Sequence, residues 1–214
     1  MSWLPASPVL RWTLLGLLIL VVVGGIAGAG WAWYSAQEAR ARTAYADATE
    51  LIQRAQAPDG GPGSRELAVK ALEIILAEHS GASIFPQAAY QLGNLHYAAG
   101  QYAKARGAFE LALAKGAAGT VQGLSALGIA YTWEAEKNYP KAQAALEAVL
   151  NARGSKDFLY EEALMDLARV QEFGGNRPGA LATYQRLLKD VPESRRADDV
   201  RTRIATLESP PPTR

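Results

Sequence analysis

A chain of 214 residues with 22 basic and 21 acidic side chains is nearly neutral, and none of its segments is a basic run. A nucleic-acid binder would show a basic stripe, so that class is set aside. The absence of cysteine removes disulfides and thiolate metal sites, and leaves the chain suited to an oxidising compartment.

Residues 1–11 form a short leader with a single charged side chain, Arg11. Residues 12–34 then contain no charge at all, and 14–23 is almost purely aliphatic. Twenty-three helical residues at about 1.5 Å each reach roughly 34 Å, enough to cross a hydrocarbon core of about 30 Å. Trp12 stands at one end and Trp31, Trp33 and Tyr34 at the other, where membrane interfaces favour aromatic rings. The segment reads as a transmembrane signal anchor. Its alternative is a cleaved signal peptide, with Ala27-Gly28-Ala29 as the small-residue cleavage site and a mature chain starting near Gly30. The apolar run continues straight into a helix-forming segment, which favours the retained anchor. Basic residues flank both ends, Arg11 before and Arg40 and Arg42 after, so counting them does not orient the helix. Large domains translocate regardless of charge. The expectation is therefore a single-pass protein of a bacterial inner membrane, its C-terminal domain on the periplasmic side. Gly24 and Gly28, one helical step apart, are candidate positions for helix–helix packing in the membrane.

Beyond the anchor, one spacing is written four times. Ala68-Leu72-Ile75, Ala105-Phe109-Ala112, Ala142-Leu146-Val149 and Ala180-Tyr184-Leu187 recur every 37 to 38 residues. That period signals stacked helix pairs, each able to bury its apolar face only against its neighbours. Residues 35–82 form a partial first repeat. Its first helix carries the stripe Ala41, Tyr45, Ala48, Ile52 and Ala55, and a Pro/Gly-rich insertion occupies 57–64. Full repeats follow at 83–119, 120–157 and 158–194. In the middle one, Tyr131 to Tyr139 reads as an enlarged turn two residues longer than its equivalent, with Pro140 in a first helical turn. Ala197, Val200, Ile204 and Leu207 line a capping helix over 195–208, and 209–214 is a disordered tail.

The residues before each triplet carry a resemblance. Leu92-Gly93 with His96 and Gly100, Leu127-Gly128 with Tyr131, and Leu167-Ala168 with Gly174-Gly175 and Pro192 resemble the tetratricopeptide repeat. The resemblance implies an all-α, right-handed solenoid of helix pairs. In it, Gly93 and Gly128 let helices cross closely, and the first helix of each repeat supplies a concave protein-binding groove. The positions implied for that groove are Tyr90, Asn94 and Tyr97 in the second repeat, with Ile129 and Trp133 in the third. The fourth contributes Met165, Arg169 and Phe173. Aromatics, Met and Arg are the types enriched at protein-binding hot spots. The Lys-and-Asn set of carboxylate-clamp repeats is not evident.

Catalytic chemistry finds little support. His79 and His96 have no second ligand at metal spacing, and Gly60-Gly61-Pro62-Gly63 lacks the strand and Lys-Ser/Thr of a phosphate loop. Glu161-Glu162 opens a helix, where acids offset the dipole. No enzyme, cofactor or metal is expected. The layout of leader, single membrane helix and about three and a half Ala-rich repeats resembles the ancillary SecYEG translocon subunit family. That resemblance implies a scaffold that binds proteins of the cell envelope, as an accessory to the Sec translocon or to periplasmic chaperones. Two other expectations are a coordinator of envelope assembly or cell division, and a structural accessory subunit of a larger membrane complex.

Overall fold

The computed structural model describes residues 8–209, so the first seven residues of the leader and residues 210–214 of the expected tail lie outside the described residues. The described chain is a succession of α-helices: α1 (Pro8–Gln56), α2 (Pro62–Glu78), α3 (Phe85–Ala98), α4 (Tyr102–Ala114), α5 (Gly119–Ala135), α6 (Tyr139–Ala152), α7 (Phe158–Phe173), α8 (Arg177–Asp190) and α9 (Ala197–Glu208). Each helix packs on the next, and α3, α5 and α7 also touch in series. The result is a solenoid whose inner layer is made by the first helix of each repeat.

Helix α1 runs unbroken for 49 residues. Among the described residues it is the one helix long and apolar enough to cross a membrane. In its N-terminal half Trp12, Leu17, Leu20, Ile26, Trp31 and Trp33 are between 66% and 74% exposed, so no other described part of the chain covers them. Side chains added at Gly24 or Gly28 would meet nothing within 4 Å. The C-terminal half instead buries Ala41, Ala48, Ile52 and Ala55, and packs against α2.

Proline and asparagine mark where the helices begin. Pro62, Pro86, Pro140 and Pro178 all lie in first turns, where the missing N–H costs nothing. Because Pro62 opens α2, the insertion expected over 57–64 is shorter than the sequence suggests: Gly63 and Ser64 are already helical. Asn138 Oδ1 accepts from the Lys141 amide (3.3 Å) and Asn176 Oδ1 from the Gly179 amide (3.0 Å), capping α6 and α8.

The enlarged turn of the third repeat is corrected. The α5–α6 connection is residues 136–138, the same length as 99–101 and 174–176 in the flanking repeats. The three turns are closed by matching bonds: Gln101 N–H to His96 O (2.9 Å), Asn138 N–H to Trp133 O (2.8 Å) and Asn176 N–H to Gln171 O (2.8 Å). Each holds one left-handed residue, Gly100 (φ 72°), Lys137 (φ 58°) and Gly175 (φ 76°). In this register Ala130 and Ala168, both buried, are the equivalents of Gly93. Gly128 lies two residues earlier and does a different job. A Cβ at Gly93 would stand 2.5 Å from the Phe109 ring, and one at Gly128 would stand 2.7 Å from it. The two glycines therefore clasp the same ring, one from its own repeat and one from the next.

Two large core clusters result. One joins α1 to α4 around Ile52, Leu72, Ile75 and Leu95, and the other joins α5 to α9 around Leu127, Leu146, Leu164, Leu187 and Val200. Phe109, 2% exposed, sits where the two halves meet. At the far end Arg177 donates to the carbonyls of Leu207 (2.5 Å) and Ser209, satisfying the C-terminal end of α9.

Candidate protein-binding cleft

Two adjoining cavities of about 290 Å³ each line the inner side of the solenoid, the first between α3, α5 and the start of α7, the second between α7, α8 and α9. The first is apolar and tyrosine-rimmed: Tyr90, Asn94 and Tyr97 come from α3, Leu124 and Tyr131 from α5, with Phe109 and Leu127 behind them. The second holds Met165 and Phe173 among charges, with Asp166 and Arg169 on α7, Tyr184 on α8, and Arg196 and Arg203 beyond. Glu162 lines both. Tyr97 is 38% exposed and Phe173 58%, so the cleft offers bare aromatic surface at each end.

Of the residues expected in the groove, six line the cleft: Tyr90, Asn94 and Tyr97 in the first cavity, and Met165, Arg169 and Phe173 in the second. Ile129 and Trp133 line neither. Trp133 instead lies under the Arg106 guanidinium, 3.5 Å from the ring centroid, with the Lys141 ammonium at 4.2 Å. It cements α5 to α4 and α6 through cation–π contacts. The cause is the two-residue register difference. Adding the 37-residue period to Tyr90, Asn94 and Tyr97 gives Leu127, Tyr131 and Glu134, and all three face this side of the solenoid. Counting back from Ala142, instead of matching the Leu-Gly pair, is the signal that finds Tyr131. Ser125, which the same count places beside Ala88 and Ala163, is fully buried.

A polar chain runs across the cleft floor. The Tyr131 hydroxyl donates to Asp166 Oδ2 (2.7 Å), Asp166 Oδ1 accepts from Arg169 Nη2 (2.6 Å), and Arg169 Nη1 reaches Glu134. Burial pushes the Tyr131 hydroxyl far above its ordinary pKa, and the neighbouring Asp166 carboxylate adds to the effect. Burial opposes the Arg169 cation, but Asp166 and Glu134 outweigh it and raise the guanidinium pKa. Tyr184 donates to Glu172 (2.7 Å) and is likewise raised, by burial first. Arg196 pairs with Glu162 (2.7 Å), while Arg203 forms no ion pair among the described residues. Each of these tyrosines holds its proton and acts as a donor. The cleft can thus take an apolar side chain in the first cavity and hydrogen-bond a backbone along its tyrosine and carboxylate rim. No group of three or more metal-ligating side chains lies among the described residues.

A family model described as a tetratricopeptide repeat-like domain matches residues 12–209. No curated protein matches the chain. Among solved structures, MamA 41-end from Desulfovibrio magneticus RS-1 is similar with a TM-score of 0.56 at 18% identity, over 78% of this chain and 94% of that one. A structure of nearly identical TPR-like repeats from Podosopora anserina reaches 0.59 at 17% identity, over 79% and 85%. These likenesses are of fold.

Proposed function

For a chain that belongs to the tetratricopeptide repeat-like domain family, we propose the role of a membrane-anchored scaffold that holds a segment of a partner protein in the cleft between α3, α5 and α7. The observation that carries this reading is the pair of exposed rings, Tyr97 and Phe173, at the two ends of a cleft whose floor is already hydrogen-bonded within itself. Exposed aromatics beside a satisfied polar floor favour capture of a chain segment over chemistry on a small molecule. The bare apolar half of α1 supports anchoring in a membrane. The setting proposed for it is the periplasmic face of a bacterial inner membrane, beside the Sec translocon or periplasmic chaperones.

Crosslinking of the intact protein in its native membrane tests the proposal, with a photoreactive residue placed at Asn94 or Met165. Partner-linked products are expected at both positions. Tyr97→Ala with Phe173→Ala should lower their yield at least roughly tenfold, a loss of about 1.4 kcal/mol of binding, with helical content unchanged. Unchanged recovery would remove the cleft from consideration. The reading of a structural accessory subunit draws on Gly24 and Gly28, whose open surroundings leave room for another helix. Gly24→Leu with Gly28→Leu releases the protein from its complex under that reading and leaves cleft crosslinks intact under the first.

A further inference from the structure

The membrane-facing end of the first repeat carries a further cavity, remote from the cleft. It measures about 230 Å³ and is bounded by Trp33, Tyr34 and Gln37 of α1, Glu78 at the end of α2, and His79 and Ser80 of the loop that follows. Its height is set by one contact. Glu38 accepts from the Ser83 amide (3.0 Å) and from the Ser83 hydroxyl, pinning the 79–84 loop to α1 four residues beyond Tyr34. Four residues of helix rise about 6 Å. On the reading of α1 as a membrane-spanning helix, on which this inference rests, Trp31, Trp33 and Tyr34 form the aromatic belt and the cavity opens among the lipid headgroups.

The chemistry of the walls selects a ligand. Trp33 is 66% exposed and Tyr34 50%, and no cation of the chain lies over either ring among the described residues. The Glu78 carboxylate is exposed and forms no ion pair among the described residues, whereas Glu38 is already committed to Ser83 and Arg42. Among the described residues, the amides of Ser80 and Gly81, which line the cavity together with the Ser80 hydroxyl, donate to no backbone carbonyl. Aromatic faces with an unpaired carboxylate suit a primary ammonium, and free amides with a hydroxyl suit a phosphodiester oxygen. We infer that this cavity binds the headgroup of phosphatidylethanolamine, ammonium toward Glu78 and Trp33, phosphate toward Ser80 and Gly81. Such a headgroup would brace the first repeat against the bilayer at a point beside α1.

The full chain, reconstituted into vesicles of equimolar phosphatidylethanolamine and phosphatidylcholine, provides the test, because no partner protein is present to supply a competing lysine. Flotation reads the anchor, and native mass spectrometry of the released protein reads the retained lipid. The expected result is flotation with the ethanolamine lipid retained roughly tenfold over the choline lipid, since full methylation leaves the cation–π attraction but removes every N–H donor to Glu78. Stepwise N-methylation of the headgroup should erode that preference in the unmodified protein. Glu78→Gln should bring the ratio close to one, while Trp33→Leu should lower retention of both lipids; both side chains are exposed, so circular dichroism stays unchanged. A chain that floats but retains the two lipids equally overturns the headgroup site alone. A chain that does not float overturns the anchor and the site together.

Discussion

Lys137 occupies the left-handed position that Gly100 and Gly175 fill in the flanking repeats. A side chain there crowds the following carbonyl at a cost of about 1–2 kcal/mol, offset in part by the smaller entropy a lysine loses on folding. Lys137→Gly should therefore stabilise the domain by about 0.5–1 kcal/mol, seen as a higher urea midpoint with an unchanged slope. Gly175→Lys should move the midpoint the other way. The same residue explains which part of the cleft was legible in the sequence. Where glycine closes the turn, as at Gly100 and Gly175, the neighbouring first helices read in register, and the α3 and α7 residues of the cleft follow. Where lysine closes it, the Leu127-Gly128 pair becomes the most conspicuous landmark within the first helix, and it is a misleading one. Gly128 is small because the Phe109 ring of the preceding repeat needs the space, a constraint that no spacing rule within one repeat reveals.

Elements were more legible than the contacts between them. Apolar spacing marks every helix from α2 to α9 because each must bury one face, whereas the Glu38–Ser83 contact links residues 45 apart and leaves no periodic trace. That contact makes α1 and the 79–84 loop one body. The two bonds from Ser83 hold the Glu38 carboxyl below the ordinary glutamate range. A carboxyl depressed in the folded state contributes its stabilisation above the unfolded pKa and loses it as pH falls through the folded one. Protection of the Ser83 amide from hydrogen exchange should accordingly hold at neutral pH and vanish as the solution is acidified past the ordinary glutamate range. Glu38→Gln should leave that amide weakly protected and indifferent to pH over the same interval. Retained pH dependence in the variant would place the titrating group elsewhere.

At the scale of the molecule, stability is held in two large cores that meet at Phe109, with a smaller cluster around Phe85 and Ala112 beside the seam. Repeat proteins pass stability between neighbours, so damage should spread within a core and stop at the seam. Val200 is fully buried in α9 and belongs to the cluster that reaches back to Leu127 in α5. Val200→Asp buries an unpaired carboxyl and should cost several kcal/mol. Hydrogen exchange should then quicken from α5 through α9 while α1 to α4 keep their protection; uniform loss along the chain would mean a single cooperative unit. If α1 anchors the chain as proposed, its length has a consequence of another kind. Residues 35–56 continue the apolar half of α1 without a break, and a helix of that length stands about 33 Å tall. A tether of loop would let the repeats wander over the bilayer and meet partners at any height. A post has no slack. Under the proposed reading it would work as a ruler, and a partner would be admitted only if its segment emerges at the altitude of α3, α5 and α7.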